Sequence, residues 1–158
     1  MKQIKSVMFV CHGNICRSPM AEMIMRSLAE ERGISLAVAS SATSSEEIYG
    51  GVGNPIYPPA REVLNKKGIP IEPHRATRLA QNDLDKYDIF VCMDNANLRN
   101  TLRILGEGAE GKVYRLMDFT DTKGEVSDPW YTGDFDTCFD DIYLGCQSLL
   151  KVISEGET

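Results

Sequence analysis

Between Lys5 and Pro19 the sequence passes from an apolar run, through a short glycine-containing turn, into residue types that start a helix. That order constrains the fold more than any other feature of the chain. Lys5 to Val10 is rich in Val, Phe and Met and reads as a buried strand. Gly13 admits backbone angles closed to other residues, and Asn14 is among the few side chains that tolerate the left-handed region. Ser18 followed by Pro19 predicts an N-cap and a first helical position. Met20, Met23, Ile24, Ser27 and Leu28 then recur at helical spacing, and Gly33 closes the segment. Strand, tight turn and helix start are the opening of a βα unit.

The rest of the chain repeats the alternation. A second strand is expected near Leu36 to Ala42, then a loop from Thr43 to Pro59, then a helix from Ala60 to Lys67 stopped by Gly68. Tyr87 to Met93 reads as a strand, Asp94 as the cap of a helix from Asn95 to about Leu105, and Lys112 to Met117 as a fourth strand. In the last helix Phe139, Ile142, Tyr143, Cys146, Leu149, Leu150 and Ile153 form one stripe. The acidic run from Asp134 to Asp141 is expected to be a solvated, capping stretch at its start. Alternating strands and helices predict an α/β fold: one three-layer αβα domain over residues 1–158, with a four-stranded parallel sheet and the binding loop after the first strand. Ligands in such open sheets bind beyond the carboxyl ends of the strands, where Cys11 to Ser18 lies.

Composition narrows what this loop could serve. A chain of 158 residues holds one core, and a net charge of −6 argues against general binding to nucleic acid or an anionic membrane. No apolar run approaches the roughly 20 residues that span a bilayer. Met1-Lys2-Gln3-Ile4-Lys5-Ser6 lacks the apolar stretch and cleavage site of a signal peptide. The five cysteines (Cys11, Cys16, Cys92, Cys138, Cys146) are odd in number and none stands in a Cys-x-x-Cys pair. Reduced thiols in the cytoplasm fit better than a disulfide framework or a zinc site. No metal and no cofactor is expected, and the state expected is a monomer or weak dimer.

Cys11-His12-Gly13-Asn14-Ile15-Cys16-Arg17-Ser18-Pro19 carries the chemistry. A bare Cys-x-x-x-x-x-Arg pair is weak evidence; across a turn that ends at a helix N-terminus it is strong, because successive N–H groups converge there on an anion. Arg17 offers a planar fork for two phosphate oxygens. Helix dipole and guanidinium both favour thiolate over thiol at Cys11, which makes it a nucleophile aimed at bound phosphorus. Ser18 is placed to donate a hydrogen bond to that sulfur. The loop is not a nucleotide P-loop, lacking the Gly-Lys-Ser/Thr ending. The competing reading is a structural turn with a buried, inert Cys11.

Val10 to Glu22 resembles the signature of the low-molecular-weight protein tyrosine phosphatases, and the resemblance runs along nearly the whole chain. Ser40-Ser41-Ala42-Thr43-Ser44, Gly53-Asn54-Pro55, Gly68-Ile69, His74-Arg75-Ala76, Cys92-Met93-Asp94, Asn97-Leu98-Arg99 and Asp128-Pro129-Trp130-Tyr131 recur in matching order. It implies Cys11 as nucleophile, Arg17 as phosphate clamp, Ser18 as the thiolate's partner, and residues His12, Gly13, Asn14, Ile15 and Cys16 as the remainder of the phosphate loop. The implied substrates are phosphotyrosine proteins or peptides.

When the P–O bond of phosphotyrosine breaks, the tyrosine leaves as a phenolate unless a general acid protonates it. Asp128 is the best candidate: Pro129 stiffens its loop, and a carboxyl beside aromatics and a phosphate dianion keeps its proton. The family's acid is the aspartate of this Asp-Pro pair. Trp130 and Tyr131 are expected to wall the cleft. The family commonly places an aromatic residue on the opposite wall; here Glu46 aligns with it, and Tyr49, in a small insertion from Tyr49 to Val52, is the candidate to replace the missing ring. The resemblance gives Ser40 and His74 the task of bonding around Asn14. His12, unusual for the family, either adds positive potential at the rim or is simply solvated. Cys16 is either a packed small residue or a partner for a protective disulfide with Cys11. Three other functions compete. A protein arginine phosphatase carries Thr where this chain has Ile15; an arsenate reductase needs further redox cysteines; a silent phosphate-binding module would have no need of Cys11, Arg17 and Asp128 together.

Overall fold

A computed structural model describes residues 3–156, so Met1 and Lys2 of the leader reading lie outside the described residues. Among the described residues six strands and five helices follow in chain order: β1 Ser6–Cys11, α1 Arg17–Glu31, β2 Ala37–Ala42, β3 Ile48–Tyr49, β4 Val52–Gly53, α2 Pro58–Lys66, β5 Ile89–Cys92, α3 Asn95–Leu105, β6 Val113–Arg115, α4 Pro129–Thr132 and α5 Phe135–Glu155. Short 3₁₀ turns lie at Gln81–Asp85 and Leu116–Phe119. The main sheet has the order β2-β1-β5-β6 and is parallel throughout. β1 is therefore central, flanked by β2 and β5, with Val10 opposite Ser41 on one side and Cys92 on the other.

Alternation along β1 sorts the core into two layers. Val7, Phe9 and Cys11 join Met20, Met23, Ile24, Ile142, Cys146 and Leu149 in the larger cluster, built on α1, α2 and α5. Met8 and Val10 join Phe90, Cys92, Leu79 and Leu105 on the other face, beneath α3. Helices thus cover both faces, which explains why the strands read as continuous apolar runs. Cys92, Cys138 and Cys146 are fully buried, as their patterns predict. Among the described residues no helix is long and apolar enough to cross a membrane.

Three local expectations are corrected. Ser18 is not the N-cap of α1: the helix starts at Arg17, Cys16 occupies the cap position without a side-chain bond, and Pro19 is the third helical residue. Pro is harmless there because the first turn's N–H groups have no intrahelical acceptor. Gly13 has no positive φ; Asn14 carries the left-handed conformation, at φ 60°. A Cβ on Gly13 would instead sit 3.2 Å from Glu47 Cγ, so the glycine is there for space. Finally, the loop after β2 contains the β3–β4 hairpin, closed by Gly50 and Gly51 at φ 58° and 79°. Two consecutive left-handed residues are what a two-residue hairpin turn requires.

Candidate active site

Cys11 ends β1 on the α1 side of the sheet, and Cys16 directly precedes α1, so the chain between them is a tight turn from strand to helix. The amides of Asn14 and Ser18 donate toward Cys11 Sγ at 3.3 and 3.4 Å, and Ser18 Oγ lies 3.0 Å from the same sulfur. Ser18 Oγ already accepts from Asn14 Nδ2 at 2.8 Å, which leaves its own proton to point at the sulfur. The serine's service to Cys11 is the physical reason it does not cap the helix.

Asn14 is wholly buried and strained, and the strain is held by its neighbours. Its Nδ2 also donates to Ser40 Oγ at 2.9 Å, its Oδ1 accepts from Thr77 N at 3.0 Å, and its carbonyl accepts from His74 Nε2 at 2.9 Å. A carbonyl only accepts, so that nitrogen of His74 carries a proton. Ser40 Oγ in turn donates to Glu22 Oε1 at 2.6 Å, and Arg26 donates to Glu22 Oε2 at 2.8 Å. Ser40 and His74 therefore stand where loop supports are expected. Glu22, one turn into α1 from Ser18, completes the set; reading the sequence did not assign it a role.

Arg17 is almost entirely buried, and its Nη1 donates to Asp94 Oδ2 and the Val126 carbonyl, both at 2.9 Å. Its Nη2 lies 3.5 Å from Asp128 Oδ2. Burial alone would lower the guanidinium's pKa, but the negative charges of Cys11, Asp94 and Asp128 outweigh it and raise it. Asp94 does double duty, since its Oδ1 also caps α3 by accepting from Asn97 N at 2.8 Å. Its sequence context identified only the cap.

Above the loop opens a cleft of about 240 Å³ lined by residues 11–17, Glu46, Glu47, Tyr57, Asp128, Trp130, Tyr131 and Phe135. Asp128 caps α4 by accepting from Trp130 N at 3.0 Å, which fixes its carboxyl over Arg17. Tyr57 packs on Trp130 with ring centroids 5.1 Å apart and on Phe135 at 6.0 Å, making one aromatic wall. Neither Tyr57 nor Phe135 carried a sequence signal toward the cleft, because only the packing of α2 against α5 brings them there. Glu46 and Glu47 line the same cleft. His12 Nε2 lies 3.0 Å from Glu46 Oε2, and both side chains are more than half exposed at the rim. Tyr49 does not line the cleft: it sits 66% exposed on the hairpin, and no ring replaces the one missing at Glu46. Cys16 lines the loop with its thiol pushed up, chiefly by the neighbouring Cys138 thiol and by burial.

A buried cysteine in an amide cradle, an arginine beside it and a carboxyl 3.5 Å from that arginine, at the carboxyl end of a central parallel strand, are the groups that cysteine-dependent phosphate chemistry requires. Residues 6–157 match the family described as low molecular weight phosphotyrosine protein phosphatase, and the chain belongs to that family. It is 35% identical over 154 residues to the low molecular weight protein-tyrosine-phosphatase YfkJ of Bacillus subtilis, covering 95% of this chain and 96% of that one. The crystal structure of YfkJ superposes with a TM-score of 0.91 over 99% of both chains. Vibrio vulnificus Wzb in complex with benzylphosphonate aligns with a TM-score of 0.81 at 25% identity, over 94% of this chain and 98% of that one.

Proposed function

We propose that this protein hydrolyses phosphotyrosine, and small aryl phosphates, through a phosphocysteine on Cys11. The observation that carries the reading is the convergence of the Asn14 and Ser18 amides and the Ser18 hydroxyl on one sulfur, with Arg17 held beside it. In the first step the Cys11 thiolate attacks phosphorus, the S–P bond forms and the P–O bond to the phenol breaks. Asp128 gives its proton to the departing oxygen. In the second, the Asp128 carboxylate takes a proton from water, whose oxygen attacks phosphorus; the S–P bond breaks, inorganic phosphate leaves and Ser18 stabilises the returning thiolate. Arg17 Nη1 is committed to Asp94 and Val126, so Nη2 and Nε are the donors left for phosphate oxygens. His12, Gly13, Ile15 and Cys16 supply the rest of the loop.

The aromatic wall of Tyr57, Trp130 and Phe135 favours an aryl ester, and benzylphosphonate in the Vibrio relative likewise joins an aromatic ring to a phosphorus oxyanion. No step calls for a metal or cofactor. We place the enzyme in the cytoplasm, acting as a monomer or weak dimer on phosphotyrosine proteins; five free thiols support a reducing compartment. A panel of phosphotyrosine, phosphoserine and phosphoarginine peptides with EDTA present tests the reading. Phosphotyrosine turnover with a trapped phosphocysteine, absent in Cys11→Ser, is expected. A large preference for phosphoarginine, or full activity in Cys11→Ser, overturns it.

A further inference from the structure

The β3–β4 hairpin does nothing for the core, yet it is firmly held. Tyr49 and Val52 are directly opposed across its two strands, so their side chains share one face, and they are 66% and 60% exposed. An isolated two-stranded hairpin is marginal in water. Its base supplies the missing constraint: Asn54 N donates to the Glu47 carbonyl at 2.8 Å, Asn54 Nδ2 to Glu47 Oε1 at 3.0 Å, and Arg75 Nη1 to the Gly53 carbonyl at 3.3 Å. Gly53 lies so close to the Ala76 backbone that any Cβ would collide with it. A rigid base thus presents an apolar pair to solvent.

The hairpin is continuous with the cleft. Glu46 and Glu47 line the cleft, and Tyr49 follows Glu47 by two residues, a reach of at most about 7 Å. We infer that the Tyr49–Val52 face is a substrate exosite that binds an apolar residue two to four positions from the phosphotyrosine. An extended peptide advances about 3.3–3.6 Å per residue, so two residues cover the reach from the rim at Glu47, and the passage from the phosphotyrosine to the rim takes up the rest of the two to four. Glu46 and Glu47 at the hairpin's root repel an acidic flank, so the occupant is an apolar, non-acidic stretch of the phosphoprotein. The inference rests on the phosphotyrosine reading and names what would select among such substrates.

The test compares two neutral phosphotyrosine peptides, one with leucine and one with serine at the third position after phosphotyrosine, alongside p-nitrophenyl phosphate. The parent enzyme is expected to favour the leucine peptide by about tenfold in kcat/KM, through KM. The double variant Tyr49→Ser/Val52→Ser should lose that preference while its activity on p-nitrophenyl phosphate stays unchanged, which also reports an intact fold. Equal rates for both peptides with the parent, or a preference that survives in the double variant, overturn the exosite alone. So does a concentration-dependent dimer that the double variant abolishes, which assigns the face to a second copy of the chain. Failure of the parent on both phosphotyrosine peptides with rapid turnover of phosphoarginine overturns the substrate reading beneath it as well.

Discussion

Asn14 shows how one residue can hold a reactive centre in shape. Its amide points at Cys11 Sγ only because its φ is 60°, and that conformation is held by Ser18, Ser40, Thr77 and His74. Asp128, proposed as the acid, is held more simply, by the bond its carboxylate accepts from Trp130 N. Asp128→Ala is expected to slow phosphotyrosine hydrolysis by about 10²–10⁴-fold and to slow an ester with a good leaving group much less, as steady-state rates on the two substrates would reveal. The five thiols should separate by environment. Burial pushes the Cys92 thiol up to about 12 and raises Cys146 further, while Cys16 is raised by the Cys138 thiol and burial. A raised pKa keeps a thiol protonated at neutral pH, so those three should resist iodoacetate. Mass spectrometry should find Cys11 alkylated first, and inorganic phosphate should slow the labelling.

At the scale of elements, the site is a junction of ends: the carboxyl end of β1, the start of α1, the start of α3 and the start of α4. Asp94 and Asp128 each use one carboxylate oxygen to cap a helix and the other to face Arg17. Helix capping and guanidinium placement are therefore coupled, and substitution can uncouple them. Asp94→Asn keeps a good N-cap but removes a charge from Arg17, so stability should change little while phosphate affinity and kcat/KM fall. Asp94→Ala should lose both, with about 1 kcal/mol of unfolding free energy added to the catalytic defect. Urea denaturation beside steady-state kinetics distinguishes the two outcomes. Capping was legible in Asp94-Asn95-Ala96-Asn97, whereas the second oxygen's task was not, because Arg17 is 77 residues away in the chain.

For the whole molecule, a net charge of −6 coexists with an anion cradle at the cleft floor, where Arg17 and two converging amides meet below walls that carry Glu46, Glu47 and Asp128. Phosphate binding to the native state alone should stabilise the fold. At a hundred times its Kd the gain is about 2.7 kcal/mol, several degrees in Tm. Differential scanning fluorimetry should show that shift with EDTA present, and lose most of it in Arg17→Ala.

Much of this could be read from the chain because its signals are local. The apolar run, the left-handed-tolerant Asn14 and the start of α1 lie within fifteen residues, and strand–helix alternation with apolar strands leaves few sheets other than a covered parallel one. Cys11, Arg17 and Ser18 lie in that stretch, and Asp128 was read from Asp128-Pro129-Trp130-Tyr131. What tertiary structure alone decided is which distant side chains meet: Glu22 with Ser40, Asp94 with Arg17, Tyr57 and Phe135 with Trp130, and Glu46 with His12. Tyr49 was misplaced for the same reason. A two-residue hairpin turn reverses the chain and carries its side chain out of the cleft, and direction after a turn depends on the packing of Gly53 against Ala76. Backbone preference acts over a few residues, while contact between side chains is set by how whole layers dock.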